Sequence, residues 1–99
     1  MPQHDVYPAP DGRGYLLDVQ SDILEVLGSR VVVPLVPEGA APVPSRGLNP
    51  LVEIGGERHV MVTQTLSAVP ASALRGPVMN LSGRSAEITR ALDMLVQGF

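Results

Sequence analysis

The chain has 99 residues and a formal net charge of −3, with ten acidic side chains against seven basic ones, all arginine. That length fits one domain over residues 1–99, burying about 60–65% of its unfolded surface, so a second copy is a natural way to enlarge the core. The absence of cysteine excludes disulfides, thiolate metal sites and cysteine nucleophiles, and the acidic balance disfavours sequence-independent phosphate binding.

Tyr7, Tyr15 and Phe99 are the only rings, so aliphatic side chains and methionine must fill the interior. No apolar run reaches the roughly 20 residues that span a bilayer. Gln3-His4-Asp5 sits where the apolar core of a signal peptide would begin, so the expected residence is cytoplasmic and no membrane partner is expected.

Val6-Tyr7 predicts a first strand, and Pro8-Ala9-Pro10-Asp11-Gly12 a turn, because proline presets φ and Asp-Gly tolerates positive φ. Tyr15 to Gln20 returns as the second strand of a hairpin. Ser21 to Ser29 reads as a loop and Arg30 to Val36 as a third strand. Pro34 lacks a ladder donor, so that strand is expected at an edge, or bulged there. Pro37 to Pro50, with four prolines and two glycines, is a long loop. Leu51 to Ile54 and Glu57 to Val62 flank Gly55-Gly56, the signature of a tight hairpin. Thr63 to Val69 continues as strand or bends after a bulge, Pro70 breaks it, and Ser72 to Val78 is a candidate last strand. From Leu81 onward, apolar residues at Ile88, Leu92, Leu95, Val96 and Phe99 follow the helical period. Ser82 or Ser85 is the expected N-cap, Arg84, Glu87, Arg90 and Asp93 form a charged stripe, and Gly98 loosens the helix end. The resulting fold class is mainly β, a small bent sheet or barrel with a C-terminal α-helix.

Val6-Tyr7; Leu17-Asp18-Val19-Gln20-Ser21-Asp22-Ile23; Arg30 with Val33-Pro34-Leu35; Ile54-Gly55 with Glu57; Met61 with Thr63; Ser67 to Pro70; Leu81-Ser82; and the terminal helix ending in Gly98 together resemble the CcdB toxin family. The resemblance covers essentially the whole chain. It implies an SH3-like, CcdB/MazF-type barrel that forms a homodimer and catalyses nothing. It also implies a type II toxin–antitoxin toxin whose paired helix ends bind the A subunit of DNA gyrase and trap its cleaved-DNA complex. A partly disordered, CcdA-like antitoxin would release gyrase, and operator DNA would be reached only through that antitoxin. No cofactor and no metal is implied. The gyrase-facing positions correspond to Ile23, Leu24, Asp93, Val96, Gln97, Gly98 and Phe99, and the antitoxin-facing ones to Tyr7, Asp11 and Arg13. The family carries tryptophan at the position of Gln97 and asparagine at that of Asp93. Its best-known members have a basic hairpin where this chain has Pro, Ala, Asp and Gly.

His4 and His59 are candidate bases, Ser21, Ser67 and Ser72 candidate nucleophiles, and Asp18 and Asp22 candidate orienting groups, but no Gly-x-Ser-x-Gly elbow is present. Asp18 and Asp22 are better read as acceptors for backbone donors in the turn than as a cation site. The fold-related ribonucleases are the rival reading, with Arg13, Arg30 and Arg46 as candidate phosphate ligands. An SH3-like peptide groove would be short of aromatic walls.

Overall fold

The computed structural model describes residues 2–98; Met1 and Phe99 lie outside the described residues. The elements are β1 (Asp5–Pro8), β2 (Tyr15–Asp18), β3 (Ser29–Pro37), β4 (Leu51–Ile54), β5 (Glu57–Met61), β6 (Ser67–Pro70), β7 (Met79–Asn80) and the helix α1 (Ser85–Gln97). The strands form one antiparallel seven-stranded sheet in the order β4-β5-β3-β2-β1-β7, with β6 also paired to β3. The result is a curled half-barrel closed by the helix, the expected fold class.

The long strand β3 causes the curl. Its residues Val32–Leu35 pair with β2 on one side. On its other side Ser29–Val32 pair with β6 and Leu35–Pro37 pair with β5. β3 is therefore a central strand, so of the two placements that Pro34 suggested, an edge or a bulge, the edge is not the one that forms. The proline is tolerated because its nitrogen falls at the change of partner. Val19 N–H donates to the Val31 carbonyl at 3.0 Å; by the alternation of an antiparallel ladder, Leu16 and Pro34 are then a non-hydrogen-bonded pair and the Pro34 nitrogen points away from β2. On the far side the Pro34 carbonyl accepts Val62 N–H at 2.9 Å. The Val62 carbonyl, which an N–H at position 34 would have met, accepts instead from the Thr65 amide and hydroxyl, both at 3.1 Å.

The two hairpins form for different reasons. Gly55 and Gly56 have φ of 61° and 82°, the doubly positive pair that a two-residue turn matched to strand twist requires. In the β1–β2 turn, a Cβ on Gly14 would lie 2.4 Å from the Leu35 carbonyl oxygen, so only glycine lets the turn close over β3. After β5 the chain makes a 3-10 turn at Thr63–Thr65 and crosses back as β6. The expected strand over Ser72 to Val78 does not form there. Ala71–Ala73 is a 3-10 turn, Gly76 has φ of 66° and Pro77 has no N–H, so pairing begins only with Val78 N–H to the Val6 carbonyl (2.8 Å) and continues as β7.

Alternating side chains give the sheet two buried faces. Val6, Leu17, Val33 and Leu35 join Val52, Ile54, Met61 and Leu81 under Ile88 and Ala91 of α1. Tyr7 and Val32 point the other way, onto Leu74, with Leu16 and Val69 alongside. Each fully buried Leu or Ile contributes about 1.5–3 kcal/mol relative to exposure. Neither serine caps the helix. Ser82–Arg84 is a 3-10 turn that runs into α1, and Arg84, at the N-cap, makes no side-chain capping bond. It pairs instead with Glu87, its Nε 2.9 Å from the carboxylate. Gly98, at φ 81°, does not loosen the helix end but closes it, donating its N–H to the Met94 carbonyl at 2.9 Å.

Candidate partner-binding surface

At the end of β2 the chain buries a polar group of side chains. Asp18 is 0% and Arg30 1% exposed, and Arg30 Nε donates to Asp18 Oδ2 at 2.8 Å. The other Asp18 oxygen accepts the Gln20 amide at 3.0 Å. Gln20 is itself buried; its Nε2 donates to the Leu24 carbonyl and its Oε1 accepts Val31 N–H, each at 3.1 Å. Asp22 accepts Gln3 N–H at 2.7 Å, and Gln3 Nε2 donates to the Val19 carbonyl at 3.1 Å. The expectation of a backbone donor in the turn holds for Asp18, whereas Asp22 takes its donor from Gln3 in the N-terminal segment. The sequence reading missed that Asp18 also neutralises a buried arginine twelve residues away.

This polar group is the back of a loop. Ser21 Oγ accepts Ile23 N–H at 3.3 Å and a single 3-10 turn spans Asp22–Leu24. The polar anchoring faces inward and the apolar side chains face outward: Ile23 is 84% and Val26 89% exposed, with Leu24 and Leu27 about half exposed. Isolated surface hydrophobes are ordinary, but four within five positions form a contiguous patch of the kind that marks interaction sites. Val26 and Leu27 were missed from sequence, although their signal, an apolar run inside a segment read as loop, was present.

The helix supplies the second exposed element. Its apolar stripe outruns the core: Ile88 is 2% exposed, Leu95 36% and Val96 78%. Asp93, Gln97 and Gly98 are exposed on the last turn, and Phe99 lies outside the described residues. Among the described residues no hydrogen bond or ion pair joins loop 21–28 to Asp93, Val96, Gln97 or Gly98.

The three positions expected from the resemblance to face an antitoxin part company. Asp11 and Arg13 are exposed on the β1–β2 turn, where Asp11 Oδ1 accepts Arg13 N–H at 2.9 Å, and both line an open groove of about 900 Å³ between that turn, β3 and the Glu57–His59 segment. Tyr7 is 3% exposed and does not line the groove. Burial, assisted by the Asp5 and Asp18 carboxylates, pushes its phenol above the usual tyrosine range.

The candidate catalytic residues are not assembled. His4 is buried, with φ of 74°. Desolvation lowers its pKa from 6.5 against the pull of Asp18 and Asp22. His59 is buried, its Nδ1 2.9 Å from the Glu57 carbonyl and its ring edge-on to Tyr15 at 5.2 Å. Among the described residues no hydrogen bond links either imidazole to Ser21, Ser67 or Ser72, and no cluster of three or more metal-ligating side chains occurs. Arg30, a candidate phosphate ligand from sequence, is unavailable because its guanidinium is buried against Asp18; Arg13 and Arg46 are exposed. No helix among the described residues is long and apolar enough to cross a membrane.

A model of the family described as CcdB protein matches residues 3–98. The chain belongs to the CcdB family. CcdB proteins are non-catalytic toxins, and membership suggests the toxin half of a toxin–antitoxin pair. The Asp18-to-Ile23 segment that carried the resemblance is thus the segment that anchors and begins the exposed apolar loop.

Proposed function

We propose that this CcdB-family protein is the toxin of a type II toxin–antitoxin module, acting as a homodimer that binds the A subunit of DNA gyrase and traps the enzyme on cleaved DNA. The observation that supports this most directly is the solvent-facing apolar loop, Ile23, Leu24, Val26 and Leu27, held from behind by buried hydrogen bonds, together with exposed Val96 at the helix end. A rigid apolar projection suits a protein that acts by preferring one conformation of its target, because it loses little entropy on docking and needs no chemistry of its own. Asp93, Gln97, Gly98 and Phe99 would contribute from the helix end. Asp11 and Arg13, on the separate groove, would meet a CcdA-like antitoxin that orders as it binds. Operator DNA would be reached through that antitoxin, which fits the net charge of −3. A gyrase target places the site of action in the cytoplasm.

Gln97 is the point of tension. A glutamine offers neither the flat face of an indole nor its cation–π attraction, about 0.5–2 kcal/mol. The deciding experiment measures gyrase-mediated DNA cleavage with the wild-type protein and with Gln97→Trp. Cleaved complexes that accumulate with both, more strongly with the tryptophan variant, support a re-tuned poison. Accumulation only with Gln97→Trp supports a fold that has lost poisoning through this position. Accumulation with neither removes the gyrase reading.

A further inference from the structure

The last rung of the β2–β3 ladder is not closed by backbone. Val19 N–H reaches the Val31 carbonyl at 3.0 Å, but Val31 N–H goes to Gln20 Oε1 (3.1 Å) and the Val19 carbonyl receives Gln3 Nε2 (3.1 Å). The Gln20 carboxamide therefore sits between the sheet and the loop. One end replaces a strand acceptor and the other holds the Leu24 carbonyl. The neighbours fix which end is which, since an N–H can meet only the oxygen and a carbonyl only the NH₂. Inside the loop, Leu24 N–H to Ser21, Glu25 N–H to Asp22 and Leu27 N–H to Leu24 carbonyls (3.0, 3.2 and 3.1 Å) are local turn bonds. Among the described residues, the other bonds that tie the loop to the rest of the fold are those of Asp22, to Gln3 at 2.7 Å and loosely to Arg30 at 3.9 Å, and that of the Gly28 carbonyl, which accepts Ala71 N–H at 2.9 Å. Among the described residues, only the Gln20 bond holds positions 23–27 to the rest of the fold, the stretch from which Leu24, Val26 and Leu27 project.

We infer that Gln20 is a positioning residue: its carboxamide sets the presented geometry of the Ile23–Leu27 apolar loop, separately from the Asp18–Arg30 pair that holds the sheet. As a statement about partner binding, this rests on the proposed gyrase contact; as a statement about loop order, it does not. The discriminating substitution is Gln20→Glu. It keeps the length and the acceptor for Val31 N–H but turns the donor at Leu24 into a second acceptor, so that two oxygens face each other.

Amide hydrogen exchange in the free, full-length protein reads the effect. Exchange at Leu24, Glu25 and Leu27 should rise about tenfold, the scale of one lost hydrogen bond, while Leu17 and Val33 stay as in the wild type. In the wild-type protein, the Gln20 carboxamide protons should themselves exchange more slowly than a free amide, a measurement that does not depend on the variant folding. Affinity for the gyrase A breakage domain should fall about tenfold in Gln20→Glu, with the thermal midpoint lowered much less than in Asp18→Ala. The inference is overturned by exchange that is unchanged in the loop, by exchange that rises equally through β2 and β3, or by carboxamide protons that exchange at the free rate. Failure of the wild-type protein to bind gyrase would sink the proposed function, and the exchange contrast would still decide this one.

Discussion

Replacing Asp18 with alanine should be among the most damaging single changes in the protein. Asp18 is fully buried and its Oδ2 lies 2.8 Å from Arg30 Nε, with the guanidinium 1% exposed. Removing the carboxylate leaves a buried guanidinium without its neutralising charge, a loss of about 3–5 kcal/mol in comparable pairs. The Gln20 amide also loses its acceptor, worth about 1 kcal/mol. A domain of this length has a total stability of about 5–15 kcal/mol. The variant should therefore be marginal, with a thermal midpoint lower by about 15–50 °C at about 4–8 °C per kcal/mol. Asp18→Leu combined with Arg30→Met should recover much of the loss, because the desolvation cost of both charges disappears together. Urea denaturation of the two single variants and the double gives the coupling directly. Single-variant losses below about 1 kcal/mol, or a double variant whose loss is the plain sum of the singles, would refute the view that a desolvated charge pair holds this end of the sheet.

Gly14→Ala should destabilise by about 1–3 kcal/mol in denaturant titration, because φ is 69° and the new methyl would meet the Leu35 carbonyl at 2.4 Å. A neutral result would mean that the turn can lift off β3. The His4 imidazole is held below its ordinary pKa of 6.5 by burial, so the unfolded chain binds the proton more readily than the folded one. Its contribution is complete above pH 6.5 and is lost as pH falls through the lowered folded value, at a slope of up to about 1.4 kcal/mol per pH unit. His4→Asn, which tolerates the positive φ, should flatten that part of the stability–pH curve, and an unaltered curve would assign the slope to other groups. Ile23→Ser, at a side chain 84% exposed, should change stability by no more than about 0.5 kcal/mol yet abolish growth inhibition in bacteria expressing the protein. Retained inhibition would remove the loop from the functional surface.

What was legible from the sequence follows from the range of the interactions involved. The Gly55-Gly56 hairpin, the β1–β2 turn and the helix over Ile88 to Val96 are local patterns, and each formed where its residues placed it. Pro34 was misplaced because its tolerance depends on β6 and β5 taking turns along β3, two pairings with segments up to about forty positions away. The last strand was expected too early because Val78 to Asn80 has no pattern of its own and is recruited by β1 from across the chain. The helix start was misread because a 3-10 turn supplied the entry that a capping serine would have given. In the candidate site, Ile23, Leu24 and Val96 were legible as apolar positions. The burial of Tyr7 and Arg30 was not, since alternation shows which residues share a face but not whether anything covers that face.

The loop's construction explains why the polar residues Asp18, Gln20, Ser21 and Asp22 lead into an exposed apolar run. Hydrophobic contact is non-directional and would draw Ile23, Val26 and their neighbours inward. Hydrogen bonds have a length and a direction, so a loop can be fixed from behind while its apolar side chains stay in water. Here the division of labour follows the direction of each bond. Asp18 and Arg30 face the sheet, and losing either should be felt by the whole fold. Gln20 and Asp22 face the loop and the N-terminal segment, and losing their donors or acceptors should be felt first by whatever the loop touches. Substitutions four positions apart, Asp18→Ala and Asp22→Ala, should then separate in a simple comparison. The first should lower the denaturation midpoint and partner binding together. The second, at an exposed side chain, should leave the midpoint within about 0.5 kcal/mol of the wild type while binding weakens. Parallel losses in both variants would mean that loop and sheet unfold as one unit, and that the loop is not a separately positioned element.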